Sequence, residues 1–119
     1  MKFTEDHEWL RVEGDLIVVG ITEYAAAQLG DVVFIELPEV EVMVAEGDEV
    51  VVIESVKAAS DILAPVTGEV VAVNASLADN PALVNQDPQG AAWMFKIRVD
   101  DLSVLDGFMD EDDYQAHIA

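Results

Sequence analysis

The chain has 119 residues, of which 25 are acidic and five are basic, giving a formal net charge of −20 at pH 7. That charge excludes nucleic acid and anionic membranes as partners by repulsion, and the lack of cysteine excludes disulfides, thiolate nucleophiles and cysteine metal sites. Hydrophobic residues make up 52% of the chain, so we expect one packed domain over residues 1–119.

The first predicted elements are a strand pair and a helix. Val12–Gly20 favours two strand pieces around a turn at Gly14 and Asp15. Thr22–Gly30 predicts a short helix, because threonine is a good N-cap residue, alanines propagate a helix and glycine readily adopts the left-handed conformation that ends one.

The middle of the chain is rich in predicted strands. Asp31–Leu37 predicts a strand that the following proline ends, and Val42–Val44 predicts a shorter one. Val50–Leu63 predicts a β-hairpin, because two runs rich in Val, Ile and Leu flank a short polar break that carries Lys57. A second strand pair is predicted to begin at Pro65.

The rest of the chain predicts turns, one more strand and a helical tail. Asn80–Gly90 is rich in turn residues. Trp93–Val99 predicts the last strand, because large apolar side chains alternate along it. Beyond Asp100, apolar residues recur at helical spacing among acidic ones, which predicts one or two short helices. The segments Ala45–Val52 and Pro65–Ala72 share a pattern of turn, glycine, acid and valines, which indicates a sandwich of two related halves.

Lys57 is the strongest candidate for a modified residue. It is one of only three lysines, and its neighbours Ser55, Ala58, Ala59 and Ser60 are small enough to leave the ammonium accessible to a modifying enzyme. Acylation would remove the charge and turn the lysine into a tether. The alternative interpretation, which is the usual one for a turn lysine, is a solvated charge.

No set of residues amounts to a self-contained catalytic or metal site. His7 beside Asp6 and Glu8 could act as a general base, although a lone surface histidine usually has no such role, and Trp9 is expected in the core or in a pocket wall. Two histidines are too few for a zinc site made of several histidines. The acidic run 110–113 lacks the glycine and the closing glutamate of a calcium loop, and no phosphate-binding or nucleophile motif is present.

Six segments together resemble the glycine cleavage H-protein family, and the resemblance extends from about Phe3 to Tyr114. They are His7–Arg11 (HEWLR), Gly20–Ala25 (GITEYA), Gly30–Pro38 (GDVVFIELP), Glu54–Ala58 (ESVKA), Ala64–Glu69 (APVTGE) and Asn80–Asn85 (NPALVN). The resemblance implies a mainly β fold of the lipoyl-domain type. This fold is a β sandwich, or barrel-sandwich hybrid, with one short helix in the N-terminal half and short C-terminal helices.

The resemblance also implies a non-catalytic carrier with lipoate in amide linkage to Lys57. The lipoyl-lysine, called the arm below, would take an aminomethyl group from glycine decarboxylase (P protein). It would present that group to the tetrahydrofolate-dependent aminomethyltransferase (T protein) and be reoxidised by dihydrolipoyl dehydrogenase (L protein). Lipoyl-attaching enzymes would recognise the hairpin around Lys57, where Glu54, Ser55, Val56 and Ala58 match the family.

In the family the loaded arm folds into a surface cleft beside two carboxylates, which correspond to Glu8 and Asp61. Such carboxylates would hold a cationic amine, and a closed cleft would limit hydrolysis. Three residues depart from the family. Glu41 stands where glycine is usual, so the turn there must differ or carry about 1 kcal/mol of strain. Asp6 adds a charge beside Glu8, and Ala92 replaces a common glycine.

Other functions and the cellular context remain open at the level of sequence. An H-like protein that relays lipoate, or that serves as a scaffold for lipoylating other proteins, would also need Lys57, whereas a purely structural acidic adaptor would not. The acidic surface favours partners with basic patches, or simply keeps a monomer in solution. The N-terminus has the character of neither a signal nor a transit peptide, and no apolar run approaches about 20 residues, so we expect a bacterial cytoplasmic protein.

Overall fold

The structure, a computed structural model, describes all residues from 1 to 119 and consists of two antiparallel β-sheets with short helices. The strands are β1 Lys2–Phe3, β2 Glu8–Glu13, β3 Leu16–Ile21, β4 Val32–Glu36, β5 Val42–Val44, β6 Glu49–Ser55, β7 Ala59–Leu63, β8 Gly68–Val73 and β9 Phe95–Arg98. The helices are α1 Glu23–Leu29, α2 Ser76–Asp79, α3 Leu83–Gln86 and α4 Glu111–Ile118, with a 3₁₀ helix at Leu102–Gly107. None of these helices has the length and apolar character that a membrane crossing requires.

The two sheets face each other across the main core. One sheet has six strands in the order β1-β2-β3-β9-β8-β5, and the other has three in the order β4-β6-β7. A cluster of 22 buried residues draws on both sheets, including Ile17 and Ile97 from the first and Ile53 and Ile62 from the second. Every second side chain of a strand points to the same face, so the alternating apolar positions of the sequence line this interior. The expected mainly β sandwich is confirmed.

A second, smaller cluster covers the outer face of the six-stranded sheet. It comprises Phe3, Trp9, Val18 and Tyr114, the last of which comes from α4. The Trp9 ring lies over Gly20, where an added Cβ would be 2.6 Å from ring atoms, and its Nε1 donates to the Pro88 carbonyl at 2.9 Å. Trp9 is completely buried, as predicted.

The two ends of the chain meet at the edge of this sheet. Phe3 and Met109 form an isolated antiparallel bridge, in which each donates its backbone N–H to the other's carbonyl, at 2.8 and 3.1 Å. The tail then continues into α4, which Asp110 caps by accepting from the Asp113 N–H at 2.9 Å. The predicted helical tail is therefore confirmed, and it is bonded to the first strand.

The local signals around α1 are also confirmed. Thr22 caps the helix by accepting from the Ala25 N–H at 3.3 Å, and Gly30 follows its last residue with φ 72°. Glu41, the departure from the family pattern, has φ 64°, and its N–H donates to the Val70 carbonyl at 2.7 Å. The turn therefore keeps the left-handed conformation despite the side chain, so of the two predicted outcomes the strained one is present.

Three expectations about the second half need correction. The strand pair predicted from Pro65 is a single strand, β8, whose neighbours are β5 and the much later β9. The segment 80–90 is not only turns, because it contains α3 and follows α2 directly. Trp93 lies before β9 and packs on the outer cluster, whereas Phe95 and Ile97 enter the main core. Asparagine and proline here begin single helical turns, which turn propensity alone does not distinguish from loops.

The two similar segments around the hairpin contact each other through their turns. The Gly47 N–H donates to the Ala64 carbonyl at 2.9 Å, the Ala64 N–H to the Asp48 carbonyl at 2.8 Å, and the Glu46 N–H to Thr67 Oγ1 at 3.0 Å. The strands that follow them, β6 and β8, belong to different sheets. The repeated pattern thus supplies one strand to each layer of the sandwich.

Candidate functional site: the lysine hairpin and the adjoining cleft

Lys57 occupies the tip of the hairpin formed by β6 and β7, as predicted. The two strands pair in register up to Glu54 opposite Ala59, and the three residues Val56, Lys57 and Ala58 are all exposed. Lys57 takes part in no ion pair, whereas Lys96 and Arg98 each bond a carboxylate. The ammonium therefore belongs to an exposed residue of the turn and is not engaged by a carboxylate.

Ser55 shapes the tip. Its N–H and its hydroxyl both donate to the Ala58 carbonyl, at 2.9 and 3.1 Å, and its Oγ accepts from the N–H groups of Lys57 and Ala58, each at 3.2 Å. One small side chain thus provides hydrogen-bond partners for the backbone N–H and C=O groups of the turn. The conformation of the tip does not depend on the Lys57 side chain, which remains free for modification.

The tip is anchored to the segment that joins α1 to β4. The Val56 N–H donates to the Asp31 carbonyl at 3.0 Å. The side chain of Asn85 fixes that segment through two hydrogen bonds. Its amide donates to the Gly30 carbonyl at 2.7 Å and accepts from the Val32 N–H at 2.9 Å. Sequence analysis gave Asn85 no role, because the residues it joins lie more than 50 positions away.

A cleft runs beside the hairpin between β7, the turn that precedes β2, and α1. It consists of two adjoining cavities of about 330 and 290 Å³. Asp6, His7, Ser60, Asp61 and Ile62 line both cavities. We call the space enclosed by these five residues the central cleft. Glu8 lines its second cavity, so the two carboxylates predicted from the resemblance, Glu8 and Asp61, lie on the same cavity.

Glu8 is an unusual carboxylate because it is 2% exposed. Its Oε1 accepts from the Thr4 hydroxyl at 3.2 Å, while Oε2 is buried and has no hydrogen-bond partner. Burial raises the pKa of Glu8 from 4.5 to about 8. A carboxyl in this state gains from any cation that enters the cleft, since the cation would supply the missing partner.

Thr4 organises the turn that carries Asp6, His7 and Glu8. Its Oγ1 accepts from the N–H groups of Asp6 and Glu8, both at 3.2 Å, and its carbonyl accepts from the His7 N–H at 3.1 Å. His7 lies in the left-handed region with φ 68°. Few residues other than glycine adopt this conformation, and those that do are concentrated at functional sites.

His7 is a cleft residue that sequence reasoning treated as unremarkable. Its Nδ1 lies 2.9 Å from the hydroxyl of Tyr114, and its ring packs 4.7 Å from that of Tyr24. Burial and the nearby His117 together hold the pKa of His7 below its ordinary value. The only signal in the sequence was the position next to Glu8, because the contact with Tyr114 spans 107 positions.

A third cleft, of about 360 Å³, also includes Glu8 in its lining and lies against the end of the 3₁₀ helix and the turn at Gly47. No residue of α1 or of the hairpin tip lines it. We therefore place the candidate site at the central cleft. Each of its two cavities is smaller, but residues of β7, which belongs to the hairpin, and of α1 line this cleft.

The residues present fit a covalent acyl arm on Lys57. The lysine is exposed on a turn whose backbone is hydrogen-bonded without it, and the adjoining cleft is lined by Glu8, whose Oε2 is buried without a hydrogen-bond partner. Apolar side chains of Ile21, Leu29 and Ile62 line the cavity next to α1, where a hydrocarbon chain would lie, while Glu8 and Asp61 offer acceptors to a cationic end group. No group of side chains in the fold has the arrangement of a metal site.

Comparisons with known proteins agree on one family. The model of the family described as glycine cleavage H-protein matches residues 1–119. A glycine cleavage system H protein from Bradyrhizobium diazoefficiens is 59% identical over 117 residues, covering 98% of this chain and 96% of that protein. One from Phenylobacterium zucineum is 54% identical over 119 residues, covering 100% and 98%. The crystal structure of a glycine cleavage system H protein from Mycobacterium marinum superposes with a TM-score of 0.88 at 35% identity, covering 98% and 94%.

Proposed function

Because this chain belongs to the glycine cleavage H-protein family, we propose that it is a lipoyl carrier whose arm is attached to Lys57. It acts as a single unit, 1–119, and has no turnover of its own. When bound to Lys57, the lipoyl group would supply a disulfide able to accept an aminomethyl unit from the P protein, with the T protein as the acceptor of that unit and the L protein as the enzyme that reoxidises the resulting dithiol.

The observation that carries the proposal is the state of Lys57. In a chain with 25 acidic residues, an exposed lysine without an ion pair on a turn that Ser55 has already satisfied is poised for acylation. Glu54, Val56 and Ala58 surround it at the tip and form, with Ser55, the surface that a lipoyl-attaching enzyme reads. Acylation adds no unpaired group to the fold, because no interaction of the ammonium is lost.

The cleft residues hold the end of the arm. Glu8 and Asp61 attract a cationic amine, and a cation beside Glu8 lowers the pKa of that residue and ionises it. The apolar walls exclude water from the cavity next to α1, which protects a group held there. Unloaded, Glu8 is mostly protonated near neutral pH, so the empty cleft is spared a buried charge.

The acidic surface selects the partners. Enzymes that bind the carrier offer basic patches, and the long-range attraction orients them before contact. The relatives from bacteria support a bacterial cytoplasmic location, and the charge supports a monomer.

The first test is the mass of the protein made in a host that synthesises lipoate. We expect one lipoyl increment, localised to Lys57 by peptide mapping, absent from Lys57→Arg and retained by the matched variant Lys96→Arg. An unmodified wild-type protein, under conditions in which a known carrier is lipoylated, would refute the carrier function.

A second test separates the shuttle from a lipoate relay that uses the same lysine. Lipoylated protein is combined with the P protein, glycine and labelled bicarbonate. Exchange of the glycine carboxyl carbon that requires Lys57 supports the shuttle. No exchange, together with transfer of lipoate to another protein, would establish the relay instead.

A further inference from the structure

The C-terminal helix α4 is hydrogen-bonded to His7, a residue that lines the central cleft, through the side chain of Tyr114. This residue is 2% exposed, and its hydroxyl lies 2.9 Å from His7 Nδ1 and 2.7 Å from Thr22 Oγ1. Three distant parts of the chain therefore meet at one oxygen: the turn before β2, the N-cap of α1, and α4. Since His7 lines the cleft, whatever fixes Tyr114 also fixes a wall of the cleft.

Packing holds the Tyr114 ring in one orientation. It stacks on Phe3 with 4.6 Å between centroids and 11° between planes. Burial raises the pKa of Tyr114, which keeps its hydroxyl protonated and able to donate. The hydroxyl is thus a rigid polar group in an otherwise apolar contact.

The three groups can form a continuous hydrogen-bond chain. Thr22 Oγ1 accepts from the Ala25 N–H at 3.3 Å and can donate its own proton to Tyr114. If Tyr114 in turn donates to Nδ1 of His7, the proton of the neutral imidazole is on Nε2; the opposite direction would place it on Nδ1. The first direction is favoured because His7 shares its cavity with the carboxyl groups of Asp6, Glu8 and Asp61, which can accept a hydrogen bond.

We propose that Tyr114 is a positioning residue of the central cleft, whose hydroxyl holds His7 as the neutral Nε2–H tautomer. A neutral ring leaves the carboxylates of Asp61 and Glu8 available to a cationic end group. A charged ring would compete with that group for the same acceptors. The part of this inference that concerns the cationic end group rests on the proposed function. The part that concerns the tautomer of His7 does not, since it applies to the protein without the arm.

Every titratable neighbour of His7 bears on its charge. Glu5, Asp6, Glu8 and Asp61 share the cleft with it, Tyr24 packs on it from α1, and His117 of α4 lies 5.8 Å away between ring centroids. His117 disfavours protonation of His7, whereas Asp6 favours it. A hydrogen bond donated to Nδ1 also disfavours protonation, so removal of the hydroxyl should raise the pKa of His7.

The first experiment uses the unlipoylated protein and needs no activity. Nitrogen-15 NMR of the imidazole rings, assigned with His117→Gln, reports the tautomer and the titration of His7. We expect the Nε2–H tautomer in the wild type, and in Tyr114→Phe a mixture of tautomers with a higher titration midpoint. Tyr24→Phe, which alters a tyrosine that contacts His7 without a hydrogen bond, should leave both unchanged.

A merely structural role is tested with Phe3→Leu. This variant weakens the stacking on Tyr114 and keeps the hydroxyl, so it should lower the melting temperature without changing the His7 tautomer. The same tautomer and midpoint in Tyr114→Phe and in the wild type, or equal changes in Tyr114→Phe and Phe3→Leu, would overturn the proposal.

The second experiment uses protein whose arm has been loaded with glycine and the P protein. Tyr114→Phe should shorten the lifetime of the loaded form several-fold near pH 6 and less near pH 8, where His7 is neutral in every variant. If Tyr114→Phe changes the tautomer of His7 but not the pH dependence of the lifetime of the loaded form, the link between His7 and the arm is overturned. If the wild type cannot be loaded at all, the proposed function fails, and the NMR result still decides the role of Tyr114.

Discussion

Lys57 lies directly against Gly30: the Cε of the lysine is 3.2 Å from the position that a Cβ on Gly30 would occupy. Gly30 has φ 72° and ψ −155°, a conformation that is essentially restricted to glycine. The residue that follows α1 is therefore also the surface against which the distal part of the lysine side chain, Cδ to Nζ, lies. The absence of a side chain at this position serves both the backbone and the lysine.

Gly30→Ala should affect stability and modification together. The methyl group forces the backbone out of its conformation, at about 1–3 kcal/mol, and crowds Lys57. We expect a lower free energy of unfolding in urea and slower lipoylation by a lipoyl ligase. Gly47→Ala is the matched control, since Gly47 has φ 91° and nothing within 4 Å of its added Cβ. The control should lose stability and keep its lipoylation rate; equal loss of that rate in both variants would contradict the contact.

Glu8→Gln should flatten the dependence of stability on pH. Because burial raises the pKa of Glu8 from 4.5 to about 8, the folded chain binds a proton between those values that the unfolded chain has lost. Stability therefore falls as pH rises through this window. Relative to the wild type, the free energy of unfolding of the variant should be higher by on the order of a few kcal/mol above pH 8 and unchanged near pH 4, as measured by urea unfolding. The exposed neighbour Glu5→Gln should follow the wild type.

The same substitution tests the role of Glu8 in holding the arm. Glutamine keeps the size of the side chain but cannot become an anion beside a cationic amine. With Lys57 still lipoylated, we expect the loaded form of Glu8→Gln to decay several-fold faster than that of the wild type or of Glu39→Gln, since Glu39 is exposed and lines neither cavity of the central cleft. An unchanged lifetime would remove Glu8 from the cleft's function.

Glu41→Gly should stabilise the protein. Glu41 has φ 64°, which costs a residue with a side chain about 1 kcal/mol and costs glycine little. We expect a gain of about 0.5–1 kcal/mol, because the greater freedom of glycine in the unfolded chain offsets part of the relief. Glu39→Gly, at an exposed residue of the same loop with an ordinary φ, should lose stability instead. A loss at both positions would show that the turn carries no strain.

Association with the partner enzymes should slow as salt is added. With a net charge of −20, the long-range attraction to a basic patch extends over the Debye length, which falls from about 30 Å at 0.01 M to about 3 Å at 1 M salt. Stopped-flow association rates with the P or T protein should therefore fall steeply over this range, with a smaller effect on dissociation. An association rate that does not change with salt would contradict electrostatic steering of the partner enzymes.

Local patterns predicted much of the fold, because its strands are rich in Val and Ile and its helix α1 carries its own stop signals. Thr22 and Gly30 act where the sequence places them, and the hairpin around Lys57 needs only residues within the segment Glu49–Leu63. The helix α3 was missed, since the Asn80-Pro81 pair that precedes it is compatible with a turn and with the first turn of a helix. The helix α2 has only four residues, too few to show a helical spacing of apolar side chains.

The site was less predictable than the fold. Glutamate is rarely buried, so nothing in the sequence alone indicated that Glu8 would be 2% exposed with an unpartnered oxygen. The pairing of Glu8 with Asp61 in one cleft followed from family resemblance, not from spacing. The contacts of Tyr114 with His7 and Thr22 span 107 and 92 positions, and they depend on how α4 docks, which no local pattern encodes.

The bridge between Phe3 and Met109 sets an order on assembly during synthesis. A ribosome releases the first strand long before the residue that must pair with it, whereas the hairpin strands β6 and β7 are neighbours in the chain and pair without the tail. The lysine-bearing turn can therefore form on a nascent chain that still lacks Met109, Tyr114 and the finished cleft. A polypeptide cut short before residue 109 would display its lysine to a ligase, yet the wall of its cleft would lack the contacts of Tyr114 with His7 and Thr22.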